Sequence, residues 1–115
     1  MQYFYAEARV SFESARHYLY AVSDELWAKA LAGDPDDPLL RARVRLANSH
    51  ALAASVHAVD VLHTGLGTAS LFSKTRIERQ FRDIHTAAAH VMIGPLTYEA
   101  AGRVELGQEA QFPFF

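Results

Sequence analysis

Apolar residues that recur every three or four positions along most of the 115-residue chain predict an all-α protein, an up-and-down helical bundle of three long helices and a short C-terminal one. No segment shows the strict apolar-polar alternation of a half-buried strand. The breaks in the pattern fall at Gly33, at Gly65 and Gly67, and at Gly94-Pro95, residue types that end or kink helices. No internal repeat or low-complexity stretch interrupts the scheme, so residues 1–115 read as one domain.

The first helix is carried by Tyr5, Ala8, Phe12, Ala15, Leu19, Val22, Leu26 and Ala30, which line one side. It is expected to stop at Gly33, and Asp34-Pro35-Asp36-Asp37 has the composition of a tight connection to an antiparallel neighbour. Asp37 before Pro38 is a start signal, because Asp accepts hydrogen bonds from free amides and proline at the first helical position gives up nothing. The seam of the second helix runs through Leu40, Val44, Ala47, Ala51, Ala54, Ala58 and Val61, while Leu52, Val56, Val59 and Leu66 form a second apolar line. Two apolar faces predict a central helix, and the alanines permit close approach by a partner. Thr75-Arg76-Ile77-Glu78 has capping-box spacing, and Ile77, Phe81, Ile84, Ala88 and Val91 carry a third helix up to Gly94-Pro95. A last helical stretch is expected to end near Gly107, followed by the apolar tail Gln111 to Phe115. A bundle with three long helices exposes the seam a fourth would cover, which predicts self-association.

Composition removes several function classes. Apolar residues make up 50% and charged residues 21%, ordinary globular values, and the formal charge is −2. No basic field is available for nucleic acid, and no membrane partner is expected. The absence of cysteine removes disulfides and thiolate chemistry, and the N-terminus carries no basic-then-apolar leader, so a cytoplasmic protein is expected.

Six histidines invite a metal reading, which their spacing does not support. His50, His57 and Asp60 share a helical face, but only Asp60-Val61-Leu62-His63 approximates a carboxylate-x-x-histidine motif, and no second copy exists. His85 and His90 stand about 140° apart around a helix, unsuited to one ion. No metal site is expected. There is no nucleophile elbow, phosphate loop or dinucleotide fingerprint. His57 and Asp60 read most simply as a helix-surface pair.

The run His63-Thr64-Gly65-Leu66-Gly67-Thr68-Ala69-Ser70-Leu71-Phe72, followed by Ile77-Glu78-Arg79-Gln80-Phe81-Arg82-Asp83-Ile84-His85 and then His90, resembles the C-terminal helical domain of the acyl-CoA dehydrogenase superfamily. The similarity is to its second branch, which includes two-component flavin-dependent monooxygenases. Its most specific part is the small-residue loop followed by Arg82-Asp83 and a histidine seven residues later. The resemblance extends through Leu26-Trp27, Leu46 to His50, Gly102-Arg103 and the Phe-Pro-Phe-Phe ending.

That resemblance implies a fragment: a family subunit also has an N-terminal helical domain, a β-barrel and a helix preceding Tyr5. It implies FAD or FMN as cofactor, with Gly67, Thr68 and Ser70 in the loop near the adenosine side. The alternative for that loop is smallness for helix packing. His90 falls on the histidine that monooxygenases of this branch place beside the isoalloxazine. A histidine there exchanges protons near neutrality, whereas the dehydrogenase carboxylate has no counterpart among Ala87, Ala88, Ala89 and Val91. The alternative for His90 is a hydrogen bond within the bundle. Arg82 and Asp83 are read as a structural network. Two functions follow from different classes: a part of a flavin site completed by a partner, or a non-catalytic module that forms a homo-oligomer or docks on a flavoprotein subunit.

Overall fold

A computed structural model describes residues 1–34, 36–68, 76–113 and 115. Its helices are α1 (Gln2–Leu31), α2 (Pro38–Leu66), α3 (Arg76–Ala88) and α4 (Pro95–Glu105), with a 3₁₀ turn at Val91–Ile93. There is no strand among the described residues. The expected all-α architecture is therefore what the chain forms, with α1 beginning three residues before Tyr5.

The punctuation acts as the residue types dictate. Gly33 takes a left-handed φ of +78°, the Gly33 amide donates to Ala30 and the Asp34 amide to Lys29, closing α1 in a Schellman arrangement. Gly107 repeats it after α4 with φ +77°, where the amides of Gly107 and Gln108 donate to Val104 and Arg103. Asp37 opens α2: its carboxylate accepts from the amides of Leu39 at 3.0 Å and Leu40 at 3.2 Å, with Pro38 in the first turn. Thr75 of the expected capping box lies outside the described residues, and the Glu78 carboxylate instead meets Arg82 at 2.8 Å.

α2 is the central element, as its two apolar lines predict. It packs against α1 on one face and against α3 and α4 on the other. The core is small and tight: eight of the ten buried apolar residues are alanine, with Val22 and Leu40 as the larger members. Val22, Leu40 and Ala47 form its centre, and Leu19, Leu26 and Val44 pack around them. Small side chains bring α1 close enough for Ser11 to donate to the Ala54 carbonyl across the seam, at 3.1 Å. Arg43 grips Glu25 with two bonds of 3.0 and 2.6 Å, fixing the same pair of helices farther along.

Two expectations need correction. The α1 seam is buried only at Ala8, Ala15 and Val22, with Leu19 and Leu26 partly covered; Tyr5 is 55% and Phe12 46% exposed, and Ala30 is exposed too. Among the described residues α2 is the main cover of α1, so residues flanking that contact line stay in solvent. The third helix also stops at Ala88 rather than running through Val91. Ala89 and His90 tighten into three-residue turns, His90 takes extended angles, and its ring accepts the Met92 amide. The layers form an elongated body of 51 × 26 × 22 Å with a radius of gyration of 16.9 Å. The long axis follows from α1 and α2, whose 30 and 29 residues span about 45 Å at 1.5 Å per residue.

Candidate functional site

Among the described residues the expected site positions fall at the two ends of α3. Gly67 follows α2 with φ +56°, a conformation L side chains rarely adopt, and its amide donates to the Thr64 carbonyl. A Cβ built on Gly67 meets nothing within 4 Å, so glycine is needed there for backbone conformation rather than space. Gly65 is the reverse: a Cβ would stand 2.8 Å from the Phe4 ring. One glycine of the pair therefore serves helix packing and the other the turn. Thr68 is exposed, and Ser70 lies outside the described residues.

His90 stands beyond the other end of α3. Its Nδ1 accepts from the Met92 amide at 3.2 Å, which puts the hydrogen of the neutral ring on Nε2. No other partner for the ring occurs among the described residues, and the residue is exposed. It lines a shallow surface depression of about 240 Å³ with Ala89, Val91 and Leu96. Residues 69–75, outside the described residues, and the thirteen residues of α3 lie between Thr68 and His90. Neither Gly67 nor Thr68 lines the depression that holds His90.

A larger apolar groove adjoins His90. It measures about 540 Å³ and lies where α3 gives way to α4, between Leu52, Ala53 and Val56 of α2 and Ala88, Pro95 and Tyr98. The His90 depression shares Ala88, Gly94 and Pro95 with it. Thr97, fully buried, donates to the Met92 carbonyl at 3.0 Å and ties the 3₁₀ turn to α4, so the rim is held in place. Burial, with a smaller contribution from Tyr18, holds the Tyr98 phenol above its ordinary pKa. Tyr98 therefore remains a neutral donor through the physiological range.

The histidines make contacts that spacing did not reveal. Asp60 does not pair with His57: its carboxylate meets His85 Nε2 at 2.8 Å across the α2-α3 contact, and His57 faces Glu7 at 3.3 Å. The Phe81 ring lies between those of His63 and His85, with centroids 4.4 and 4.5 Å away. No group of three or more His, Cys, Asp or Glu side chains converges among the described residues. Arg82 and Asp83 do sit in Arg-carboxylate pairs on α3, with Glu78 and Arg79 respectively. No described helix is long and apolar enough to cross a membrane.

The arrangement offers an imidazole with a fixed tautomer beside an apolar groove, and an exposed glycine turn one helix away. It carries no nucleophile-base pair and no ion cage among the described residues.

The chain is 25% identical over 104 residues to an indole-3-acetate monooxygenase of Pseudomonas putida, a match covering 90% of this chain and 27% of the relative. It is 24% identical over 106 residues to an indole-3-acetate monooxygenase of Acinetobacter baumannii, covering 92% of this chain and again 27% of the relative. The chain thus spans about a quarter of the length of these relatives. No solved structure matches. A profile of the acyl-CoA dehydrogenase C-terminal domain matches residues 1–95, from the start of α1 to the first residue of α4, so the chain belongs to the acyl-CoA dehydrogenase C-terminal domain family.

Proposed function

We propose that this chain is the C-terminal helical part of a flavin-dependent monooxygenase, contributing His90 and the Gly67-Thr68 turn to a flavin site that only a partner polypeptide completes. The observation that carries the reading is the state of His90: Nδ1 accepts the Met92 amide, and Nε2 has no partner among the described residues at an exposed position, where a bound molecule could meet it.

The residues fit a flavin at two separate contacts. Gly67 leaves open space where a side chain would stand, so backbone can approach a cofactor there. His90, beyond the far end of α3, would meet the reactive end of an extended FAD rather than its nucleotide end. Reduced flavin would supply electrons to oxygen when bound. His90 would donate from Nε2 to a developing anion or take a proton from a substrate hydroxyl or ring nitrogen, while the Met92 amide holds the ring in orientation. The apolar groove beside it would exclude water from that exchange. Everything else such an enzyme requires belongs to the three quarters of the relatives' length that this chain does not cover.

The test is flavin titration of the chain, alone and mixed with a polypeptide carrying the portion of a monooxygenase relative that it lacks. Binding only in the mixture, weakened by His90→Ala and by Gly67→Trp, is expected. Equal binding to the companion with and without this chain would refute the reading.

A second reading is favoured by α1. Tyr5, Phe12, Tyr20 and the 68% exposed Trp27 lie along the flank that α2 leaves uncovered, with Arg9 bonded to the Tyr5 hydroxyl and Arg16 over the Tyr20 ring. Such a face suits association with another helix, either in a homo-oligomer or on a flavoprotein subunit. Light scattering that shows a monomer, together with no association with the companion, would remove it.

A further inference from the structure

Thr97 stands in the first turn of α4, fully buried, and its hydroxyl bonds away from its own helix. The amides that open a helix need acceptors, and a threonine near that end ordinarily supplies its oxygen as one. Farther inside a helix the hydroxyl turns back to the carbonyl four residues earlier, as Thr86 does to Arg82 at 2.9 Å and Ser55 to Ala51 at 2.7 Å. Thr97 does neither. Its Oγ1 donates five residues back, past the start of α4, to the Met92 carbonyl at 3.0 Å.

Met92 is thereby held by side chains at both of its backbone polar atoms. Its carbonyl takes the Thr97 hydroxyl, and its amide donates to His90 Nδ1 at 3.2 Å. Two backbone bonds brace the same stretch: the Ile93 amide donates to the His90 carbonyl at 3.1 Å and the Thr97 amide to the Gly94 carbonyl at 3.0 Å. A fully buried hydroxyl is thus joined to an exposed imidazole through one residue. Thr97 itself has little freedom. It shares the buried face of α4 with Ala100 and Ala101, α4 packs on α2, and a β-branched side chain is restricted at χ1 within a helix.

The consequence falls on His90. A neutral imidazole carries its hydrogen on one nitrogen, and a donor held against Nδ1 leaves it on Nε2. His90 follows the end of α3 with extended backbone angles, and its ring is bonded only by the Met92 amide among the described residues. An exposed ring without that bond would sample both tautomers and several rotamers. One amide, itself anchored through Thr97, removes that freedom.

We propose that Thr97 is a positioning residue for His90: through Met92 it fixes the imidazole in the Nε2–H tautomer and sets where that N–H points. What Nε2 meets rests on the flavin reading, whereas the fixing belongs to this chain alone.

The test is NMR of the ¹⁵N-labelled 115-residue chain, without flavin, at about pH 9, well above the ordinary imidazole pKa of about 6.5. Ring nitrogen shifts report the tautomer, couplings across Cα–Cβ report the χ1 population, and the chain unfolded in urea supplies the values of a released ring. Wild type should show the Nε2–H form alone, in one rotamer. Thr97→Val, close in shape but without the hydroxyl, should move the His90 signals at least halfway to the urea values while those of His17 and His50 stay in place. Thr97→Ser, which keeps the hydroxyl, should hold them at the wild-type position. Should Thr97→Val loosen α4 as a whole, as read from the Ala100 and Ala101 amides, Ala101→Gly supplies the comparison: it weakens α4 with the hydroxyl intact and should displace the ring less. A wild-type ring matching the unfolded one, an unmoved ring in folded Thr97→Val, or a ring displaced as far by Thr97→Ser or Ala101→Gly as by Thr97→Val would each overturn the proposal. The expected ring response together with flavin binding that His90→Ala does not weaken would instead refute the flavin reading and leave the positioning intact.

Discussion

Replacing Ser49 with alanine should make the ligand-free chain more stable, against the usual direction for a change in a helical core. Ser49 is 2% exposed and its hydroxyl has no partner among the described residues, so its removal relieves a desolvation penalty of about 1–3 kcal/mol. Alanine adds up to about 0.5 kcal/mol of helix propensity over serine. The void left by one oxygen costs roughly 0.3 kcal/mol at ~24 cal/mol per Å³. The sum is a gain of about 1–3 kcal/mol, or a rise in Tm of roughly 4–15 °C for a chain of this size. Urea unfolding followed by circular dichroism at two temperatures reads it directly, with an unchanged slope showing that compactness is preserved. A fall of 1 kcal/mol or more would refute the reasoning, because it would show that Ser49 is satisfied within the folded chain.

The remaining predictions concern the frame that holds the site. Leu40→Ala, in the centre of the α1-α2 core at 2% exposure, should cost about 2–5 kcal/mol by equilibrium unfolding, most of the reserve of a small core. Gly65→Val should destabilise by about 1–3 kcal/mol by forcing the Phe4 ring away, and Phe4→Ala should recover part of that loss; Gly67→Val should also destabilise, but Phe4→Ala should give it no rescue. The Asp37 carboxyl is held below its ordinary pKa chiefly by Lys29, at 2.6 Å, and by the Leu40 and Leu39 amides. A depressed folded value means stability that is present above the unfolded pKa of about 3.9 and is lost as pH falls through the folded one, so Asp37→Asn should flatten the acid limb of stability between pH 5 and 2. Lys29, raised by the same contact, adds stability that disappears only above about pH 10, and Lys29→Met should flatten that limb.

The sequence makes the frame readable because its signals are local. Asp37-Pro38 caps α2, Gly33 and Gly107 close α1 and α4, and the alanine seam of α2 identifies the central helix, each from spacing of a few residues. The third helix is overextended for the same reason: Val91 continues the period, but the His90 ring takes the Met92 amide and Pro95 has no amide to carry the ladder on. Tyr5 and Phe12 match the buried period of α1 and yet are exposed, because periodicity shows which face is apolar and not whether a partner is present to cover it.

Site contacts are legible only where they are local or carried by the resemblance. His90 and the Gly67 turn come from the family pattern, and the division of labour between Gly65 and Gly67 needs the position of Phe4, 61 residues earlier. Asp60 and His85 are 25 residues apart, and no helical spacing connects them. Ser49 looks like any helix-interior serine until the groove beside it and the absence of a carbonyl partner are seen.

The central claim is that this chain contributes contacts to a flavin held jointly with a partner. Linkage makes it measurable: a cofactor that touches both chains must strengthen their association by the same factor by which the partner strengthens cofactor binding. The decisive measurement is the dissociation constant between this chain and the companion polypeptide, with and without saturating FAD. The account predicts tighter association with FAD, by at least about tenfold, or ~1.4 kcal/mol, and a smaller gain in His90→Ala. An association constant that FAD leaves unchanged would contradict it.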